Sequence, residues 1–254
     1  SAGPVLWLNS RVAAMQWQSV SGDKVADVLL NIERKDSPEE RSAKIQLQQS
    51  AVRGDELTLR FITTKVGEVS QLVSRTDISL ASWIEAWYPV PRLDREAGSS
   101  FTSRLITIPG TTSFDLPGDW VAITDGQLLS RKKQGNRTLE VWDLADTPVA
   151  RSFAAGPFRI AERKVDDRMI RIYLLQAHIM SVDTLADLLG ASLAAQEQRL
   201  GAFPFAGYGV VEVPDGMSGW SAASQQTFIM SQGDNFDHEH GNLPLWAHEM
   251  THGW

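Results

Sequence analysis

Hydrophobic residues alternate with polar ones over most of the first 175 residues. Leu57, Leu59 and Phe61 alternate with polar residues, and the same period of two returns over residues 170–174. This spacing places the apolar side chains on one face of a strand. Such short alternating runs, broken by turn residues, are typical of antiparallel sheets with one buried face.

Turn residues divide this β region into short strands. Asp125–Gly126 lies between the apolar runs 120–123 and 127–129 and predicts a tight hairpin. A basic stretch, Arg131–Arg137, contains Gly135-Asn136 between two apolar runs. We interpret it as the solvent-exposed tip of a second hairpin rather than as a binding patch.

The period becomes helical in the last third of the chain. Ser181 is a predicted N-cap and Gly201 a predicted C-terminal stop. The apolar residues between them recur at helical spacing: Val182, Leu185, Leu189, Leu193 and Leu200. Residues 207–213 and 226–230 are predicted strands, and Pro244 is expected in the first turn of a final helix.

These patterns predict a β-rich α+β fold with two domains. An antiparallel β domain occupies residues 1–175, and a mixed α/β domain begins at residue 176 and continues to residue 254. A chain of 254 residues, 43% of them hydrophobic, is long enough for both domains to have a core.

Composition excludes several classes of function. The net charge of −7 argues against nucleic-acid binding, which needs a basic face. The absence of cysteine excludes disulfides, cysteine nucleophiles and thiolate metal sites. The sequence has no apolar run long enough to span a bilayer and no recognisable signal peptide. The compartment stays open, as does membrane attachment through another segment.

The strongest chemical signal is the motif His248-Glu249-x-x-His252. Histidines four residues apart lie one turn apart on the same helix face, so their imidazoles can share one metal ion. A neighbouring glutamate can accept a proton from a water molecule. The apolar residues before the motif, Leu243, Leu245, Trp246 and Ala247, favour a buried metal-binding helix over an exposed one.

The context of this motif resembles the aminopeptidase N family of zinc metallopeptidases. Phe203-Pro204-Phe205 and the strand over residues 206–215 precede the motif in the same order as in that family, and Trp254 follows it at the matching place. Trp87-Tyr88-Pro89 and residues 119–128 are similar to the family's N-terminal saddle domain. The resemblance implies a saddle-like β domain followed by the start of a thermolysin-like catalytic domain.

The resemblance also implies roles for single residues. His248 and His252 would be ligands of one zinc ion, and Glu249 would be the general base in the hydrolysis of a peptide substrate. The family's third ligand, a glutamate in the next helix, and its catalytic tyrosine have no counterpart in this sequence. We therefore expect an N-terminal portion of such an enzyme that binds zinc weakly or not at all and is inactive on its own.

The substrate-binding segment departs from the family pattern. The aligned residues here are Gly216, Met217, Ser218 and Gly219. Ser218 stands where the family has the glutamate that binds the substrate's α-amino group, and a hydroxyl forms a weaker bond to an ammonium than a carboxylate does. Asp215 or Glu212 could replace it. The alternative is a non-catalytic binding or scaffolding module that retains the aminopeptidase fold.

Other candidate residues have simpler interpretations. Asp237-His238-Glu239-His240 is predicted to be a loop, because glycines and asparagines flank it. His178, at the junction of sheet and helix, is interpreted as structural. The dispersed tryptophans Trp7, Trp17, Trp83, Trp87, Trp120 and Trp142 are expected in the core rather than in a carbohydrate-binding platform.

The motif lies in the last residues of the sequence, which leads to two further expectations. The last turn of its helix, with His252, should fray because its carbonyls lack helical partners. The apolar faces of the 182–200 helix and of residues 243–246 should lack cover and favour self-association.

Overall fold

The structure is a computed structural model of the chain. It describes residues 5–10, 15–33, 41–49, 58–65, 72–82, 87–88, 90–91, 110–143, 152–178, 181–215, 222–224, 227–237 and 242–254.

The described residues form these strands: β1 (Val5–Ser10), β2 (Met15–Gly22), β3 (Val25–Glu33), β4 (Arg41–Leu47), β5 (Leu59–Lys65), β6 (Leu72–Ser74), β7 (Ser79–Ala81), β8 (Val90–Pro91), β9 (Thr111–Pro117), β10 (Val121–Thr124), β11 (Gln127–Gln134), β12 (Arg137–Asp143), β13 (Phe153–Gly156), β14 (Arg159–Val165), β15 (Arg168–Leu174), β16 (Gly207–Val213), β17 (Ala222–Ser224) and β18 (Phe228–Gln232). The helices are α1 (Val182–Leu200), a 3-10 turn (Gly233–Phe236) and α2 (Leu243–Thr251).

The chain divides into two compact units. The first contains β1 to β5 and β8, in a sheet of order β3-β4-β1-β8 and a β2-β5 ribbon. The strand pairs in both are antiparallel. The core of this unit consists of Leu8, Trp17, Ala43, Ile45 and Leu47. The predicted alternation is seen at the start of β2 and over residues 43–47 of β4. Phe61 of β5 is 43% exposed, so the alternation predicted over residues 57–61 does not bury its apolar face there.

The second unit contains both helices and the remaining sheets, of order β10-β13-β7-β6, β11-β12-β9 and β14-β15-β16-β18-β17. In the five-stranded sheet, β15, β16 and β18 are parallel, and the outer strands β14 and β17 are antiparallel to their neighbours. α1 connects β15 to β16, as a parallel pair requires a crossover. The predicted β-rich α+β fold is confirmed.

Both faces of the five-stranded sheet are covered. On one face, Ile170 and Ile172 pack in a cluster with Leu185 and Leu189 of α1. On the other face, Tyr173, Val211 and Phe228 belong to a second cluster, which includes Ile123, Trp142 and Phe158. Strands buried on both faces are apolar almost throughout, which explains the run Val210–Val213, interrupted only by Glu212.

α1 begins and ends where the sequence predicts. The Ser181 Oγ accepts a hydrogen bond from the Thr184 N–H at 3.1 Å, and Gly201 follows the helix with a φ of 90°. Glycine adopts this φ without the steric cost that other residues incur. Three leucines on one face of α1 are buried: Leu185, Leu189 and Leu193.

The predicted hairpin at Asp125–Gly126 is wrong. β10 pairs with β13, whereas β11 pairs with β12, so the two strands that flank Gly126 belong to different sheets. The buried Asp125 carboxylate accepts hydrogen bonds from the backbone N–H groups of Ser152 and Thr227. These long-range bonds stabilise a corner between sheets, and the φ of 109° at Gly126 suits either kind of turn.

The second predicted hairpin is confirmed. β11 and β12 pair up to Gln134 and Arg137, and Gly135 in the turn has a φ of 63°. Arg131 differs from the solvated basic residues of this hairpin, because its Nε donates a hydrogen bond to the fully buried Glu140 carboxylate at 2.7 Å. Lys132 and Lys133 are exposed, as expected.

The predicted uncovered apolar faces are covered. Leu185, Leu189 and Leu193 of α1 and Trp246 of α2 are at most 2% exposed, because the two helices pack on each other and on the five-stranded sheet. Leu200, at the end of α1, is 52% exposed. These faces therefore give no reason to expect self-association. Among the described helices, none has the length and apolar character that crossing a membrane requires.

The compact units do not coincide with the predicted domains. β14 and β15 precede residue 176 but lie in the same sheet as β16, and β9 to β13 also belong to the second unit. The division of the chain into domains at residues 1–175 and 176–254 stays a prediction, which rests on the family that the sequence resembles.

The end of α1 is joined to the following turn by an ionic contact. The Glu197 Oε1 accepts bonds from the Phe203 N–H at 2.8 Å and from Arg168 Nη2 at 2.7 Å. Arg168 also donates to the Phe205 carbonyl. The hydrogen bond from Phe203, followed by the Arg168 guanidinium, lowers the pKa of Glu197 below its ordinary value.

Replacement of Gly190 by alanine should destabilise the protein by about 1–3 kcal/mol through overpacking. A Cβ at this position would lie 2.6 Å from Val165 Cγ1, although alanine is the better helix former. Urea unfolding of Gly190→Ala, Val165→Ala and the double variant measures the coupling. The double variant should recover part of the loss, and strictly additive effects would contradict this packing.

Glu197→Gln should lower the free energy of unfolding by about 1 kcal/mol at pH 7. Because folding lowers the pKa of Glu197, its contribution is present above the unfolded-state value, near 4.5, and is lost as pH falls through the folded-state value. Unfolding between pH 7 and pH 2 should show the variant and the parent converging in acid.

Glu162→Gln is the matched control, because the exposed Glu162 pairs with the exposed Arg171. It should change stability by less than about 0.5 kcal/mol. A difference between parent and Glu197→Gln that persists unchanged at pH 2 would contradict the ionic role of Glu197.

Candidate metal centre

His248 and Glu249 lie on α2, as predicted, and His252 is the C-cap residue of this helix, with helical φ and ψ. Pro244 occupies its first turn, where the missing N–H has no cost. Trp246 and Met250 are completely buried. Because successive residues turn by about 100° around a helix, burial of these two side chains directs His248 and His252 away from the core.

The rings of His248 and His252 lie close together. Their ring centroids are 5.4 Å apart and the ring planes are inclined by 84°. Imidazoles that share a tetrahedral ion at Zn–N distances of 2.0–2.1 Å have ring centres about 5 Å apart. Imidazole nitrogen is a donor that zinc prefers, so the donor type and the spacing of these two residues fit this metal.

Glu249 is close to the histidine pair. Its side chain is 16% exposed, and Oε2 lies 4.0 Å from the His252 Nε2. His252 itself is more open, with 60% of its side chain exposed. The arrangement thus combines two accessible imidazoles with a carboxylate on the adjoining helix surface.

Buried hydrogen bonds hold α2 on the sheet. The Trp246 indole N–H donates to the Ser231 Oγ of β18 at 3.0 Å, and the Asn235 amide donates to the same oxygen at 3.1 Å. Asn242, at the start of α2, donates to the Asn235 Oδ1. This network ties the strand, the 3-10 turn and the helix together.

The residues at the end of α2, which are expected from the sequence to fray, form hydrogen-bonded turns in the structure. The N–H groups of His252, Gly253 and Trp254 each donate to the carbonyl three residues back, at 3.0–3.2 Å. The Trp254 indole N–H donates to the Gly201 carbonyl at 2.9 Å, and its ring packs on Phe203 with a centroid separation of 4.8 Å. Trp254 therefore anchors the end of α2 against the turn that follows α1.

A third metal ligand is not found in the part of the chain that the structure describes. Within the described ranges, no group of three or more His, Asp or Glu side chains is placed to hold a metal ion. The predicted substrate-binding residues Gly216, Met217, Ser218 and Gly219 lie outside those ranges, as does His238-Glu239-His240. Their predicted roles stay predictions.

The structure reveals a cluster of polar side chains around the buried ring of His178 that the sequence does not indicate. The His178 ring is fully buried, stacks on Phe236, and lies 3.1 Å from both the Asp237 Oδ1 and the Glu212 Oε2. Glu212 also accepts the backbone N–H of Leu175 at 2.7 Å. These contacts agree with the structural interpretation of His178. The cluster joins residues up to 59 positions apart, which local patterns do not reveal.

The two acids proposed to replace Ser218 are already engaged. The Glu212 Oε2 accepts from two backbone N–H groups and faces His178. The Asp215 Oδ1 accepts from the Asp234 N–H at 3.0 Å. Glu212 is therefore committed to holding the end of β15, whereas Asp215 is exposed.

A separate cleft of about 210 Å³ lies in the second unit. Its lining includes Trp142, Arg171, Tyr173, Phe205 and Tyr208, and none of the motif residues. Burial raises the pKa of the Tyr173 phenol, so this side chain stays neutral. The cleft is distinct from the histidine pair.

Comparison with solved structures identifies proteins of similar fold. A two-domain M1 zinc metallopeptidase mutant bound to L-arginine has a TM-score of 0.63 at 12% identity, over 97% of this chain and 57% of that chain. An M1 zinc metallopeptidase from Deinococcus radiodurans has a TM-score of 0.57 at 16% identity, over 98% and 56%. Legionella pneumophila aminopeptidase A in complex with aspartic acid has a TM-score of 0.68 at 16% identity, over 100% and 30%.

No protein-family model matches the chain, and no curated protein matches it by sequence. This chain spans a little more than half of the M1 zinc metallopeptidases named above and less than a third of the Legionella enzyme. At these identities the likeness concerns the fold. The chain has the fold of the corresponding part of M1 zinc metallopeptidases.

Proposed function

We propose that this chain supplies part of the active site of a zinc-dependent peptidase of aminopeptidase type. The observation that supports the proposal is the histidine pair on α2, with ring centroids 5.4 Å apart beside Glu249. The shared fold with M1 zinc metallopeptidases supports the same reaction class. The substrate would be a peptide.

Each motif residue has a distinct role in this proposal. His248 and His252 hold the metal through their imidazoles. Zinc, when bound, supplies a Lewis acid that polarises a carbonyl and lowers the pKa of a water molecule. Glu249 accepts the proton from the attacking water and can return it to the leaving amine. Its partial burial limits competition from bulk solvent for that proton.

The metal site needs more than two protein ligands. Catalytic zinc sites have three protein ligands and an open position. His248 and His252 provide two, and no third completes the set among the described residues. We therefore propose that the 254-residue chain alone binds zinc weakly and does not hydrolyse peptides.

Zinc titration of the chain, followed by NMR of the histidine ring signals, tests the metal assignment. The signals of His248 and His252 should change together, because both rings bind one ion. His248→Ala should weaken binding at least about tenfold, since one of two protein ligands is lost. The control His238→Ala/His240→Ala should bind zinc like the parent. Loss of zinc binding in that control alone would contradict the assignment of His248 and His252 as the ligands.

Peptide hydrolysis tests the reaction. It should be absent from the 254-residue chain and, where the gene encodes a longer polypeptide, present in that polypeptide. There Glu249→Gln should keep zinc and lower kcat by about 10²–10⁴-fold. Peptides with free and with blocked N-termini would show whether an amino group is required. A zinc-loaded long polypeptide without activity on either set would favour the non-catalytic alternative.

A further inference from the structure

One partly buried side chain connects α1 to the peptide group just before His248. Gln196 of α1 donates from Nε2 to the Ala247 carbonyl oxygen at 2.8 Å. Its other amide atom, Oε1, is buried and has no hydrogen-bond partner among the described residues. The amide therefore makes one good hydrogen bond and leaves one acceptor unsatisfied.

The orientation of this amide follows from its partner. A carbonyl oxygen only accepts, so the Gln196 nitrogen must face Ala247 and its oxygen must face the opposite way. Desolvating an unpaired acceptor costs free energy, and one neutral hydrogen bond offsets that cost only in part. An apolar side chain of the same length would fill the space between the helices without this cost. Stability alone does not explain a glutamine here.

The bond acts on the backbone that carries a motif histidine. The Ala247 carbonyl and the His248 nitrogen belong to the same planar peptide group. A donor on that carbonyl limits rotation of the plane, and with it the direction in which the His248 side chain leaves the helix. Trp246 and Trp254 fix α2 before and after this point, and Gln196 fixes it at the motif.

We propose that Gln196 is a positioning residue for His248, which it orients through the Ala247 carbonyl at a cost in protein stability. The metal part of this inference rests on the proposed zinc site. The positioning part concerns only the helix and can be measured without metal.

Gln196→Met tests the proposal, because methionine has similar length but no donor. Its midpoint of thermal unfolding should equal or exceed that of the parent. Amide hydrogen exchange in α2 should become about fivefold faster relative to α1, because the hydrogen bond to the Ala247 carbonyl is lost. Zinc affinity, measured with Zn²⁺ by the histidine NMR titration, should fall about tenfold, as for other groups that orient metal ligands. Gln196→Leu should behave in the same way.

Gln198→Met is the matched control, because Gln198 is exposed on the same helix. It should alter neither exchange in α2 nor zinc affinity. A purely structural role predicts that stability and zinc affinity fall together, and that outcome would overturn the proposal. Unchanged α2 exchange in Gln196→Met would also overturn it. If the parent binds no zinc through His248 and His252, the proposed function fails, and the exchange comparison still decides the role of Gln196.

Discussion

The burial of one face of α2 determines the geometry of the candidate site. A helix of nine residues is too short to be stable alone in water, so α2 exists because Trp246 and Met250 are buried against the sheet and α1. Burial of the Trp246 indole N–H without a hydrogen-bond acceptor would cost free energy, and the Ser231 Oγ provides an acceptor. Once this face is fixed, the rotation of the helix places His248 and His252 on the opposite, accessible side.

Three hydrogen bonds further fix the position of α2. Trp246 is bonded to β18, the Ala247 carbonyl to Gln196, and Trp254 to the Gly201 carbonyl at the end of α1. Sites built on elements held by such contacts keep their geometry better than sites on loops. We infer that these contacts hold the backbone of α2, and with it His248 and His252, in one arrangement.

Much of the fold can be predicted from local sequence signals. Ser181, Gly201 and the spacing of the leucines give the limits of α1, and Pro244 gives the start of α2. These predictions are correct because helix caps and the spacing of apolar residues depend on only a few neighbouring residues. The histidine pair is predictable for the same reason, since its spacing matches one turn of a helix.

Features that depend on distant partners escape such prediction. The Asp125 corner requires contacts with Ser152 and Thr227, up to 102 positions away in sequence. The stabilised end of α2 depends on Trp254 meeting the turn after α1. Gln196 looks like an ordinary polar residue of an amphipathic helix until its contact with α2 is known.

A crystal structure determined with Zn²⁺, with the ion located by its anomalous signal, tests the central claim most directly. The account predicts one zinc ion within about 2.1 Å of imidazole nitrogens of both His248 and His252. It also predicts that α2 keeps the backbone described above. An ion bound elsewhere, for example by His238 and His240, or a rearranged α2, would contradict the account.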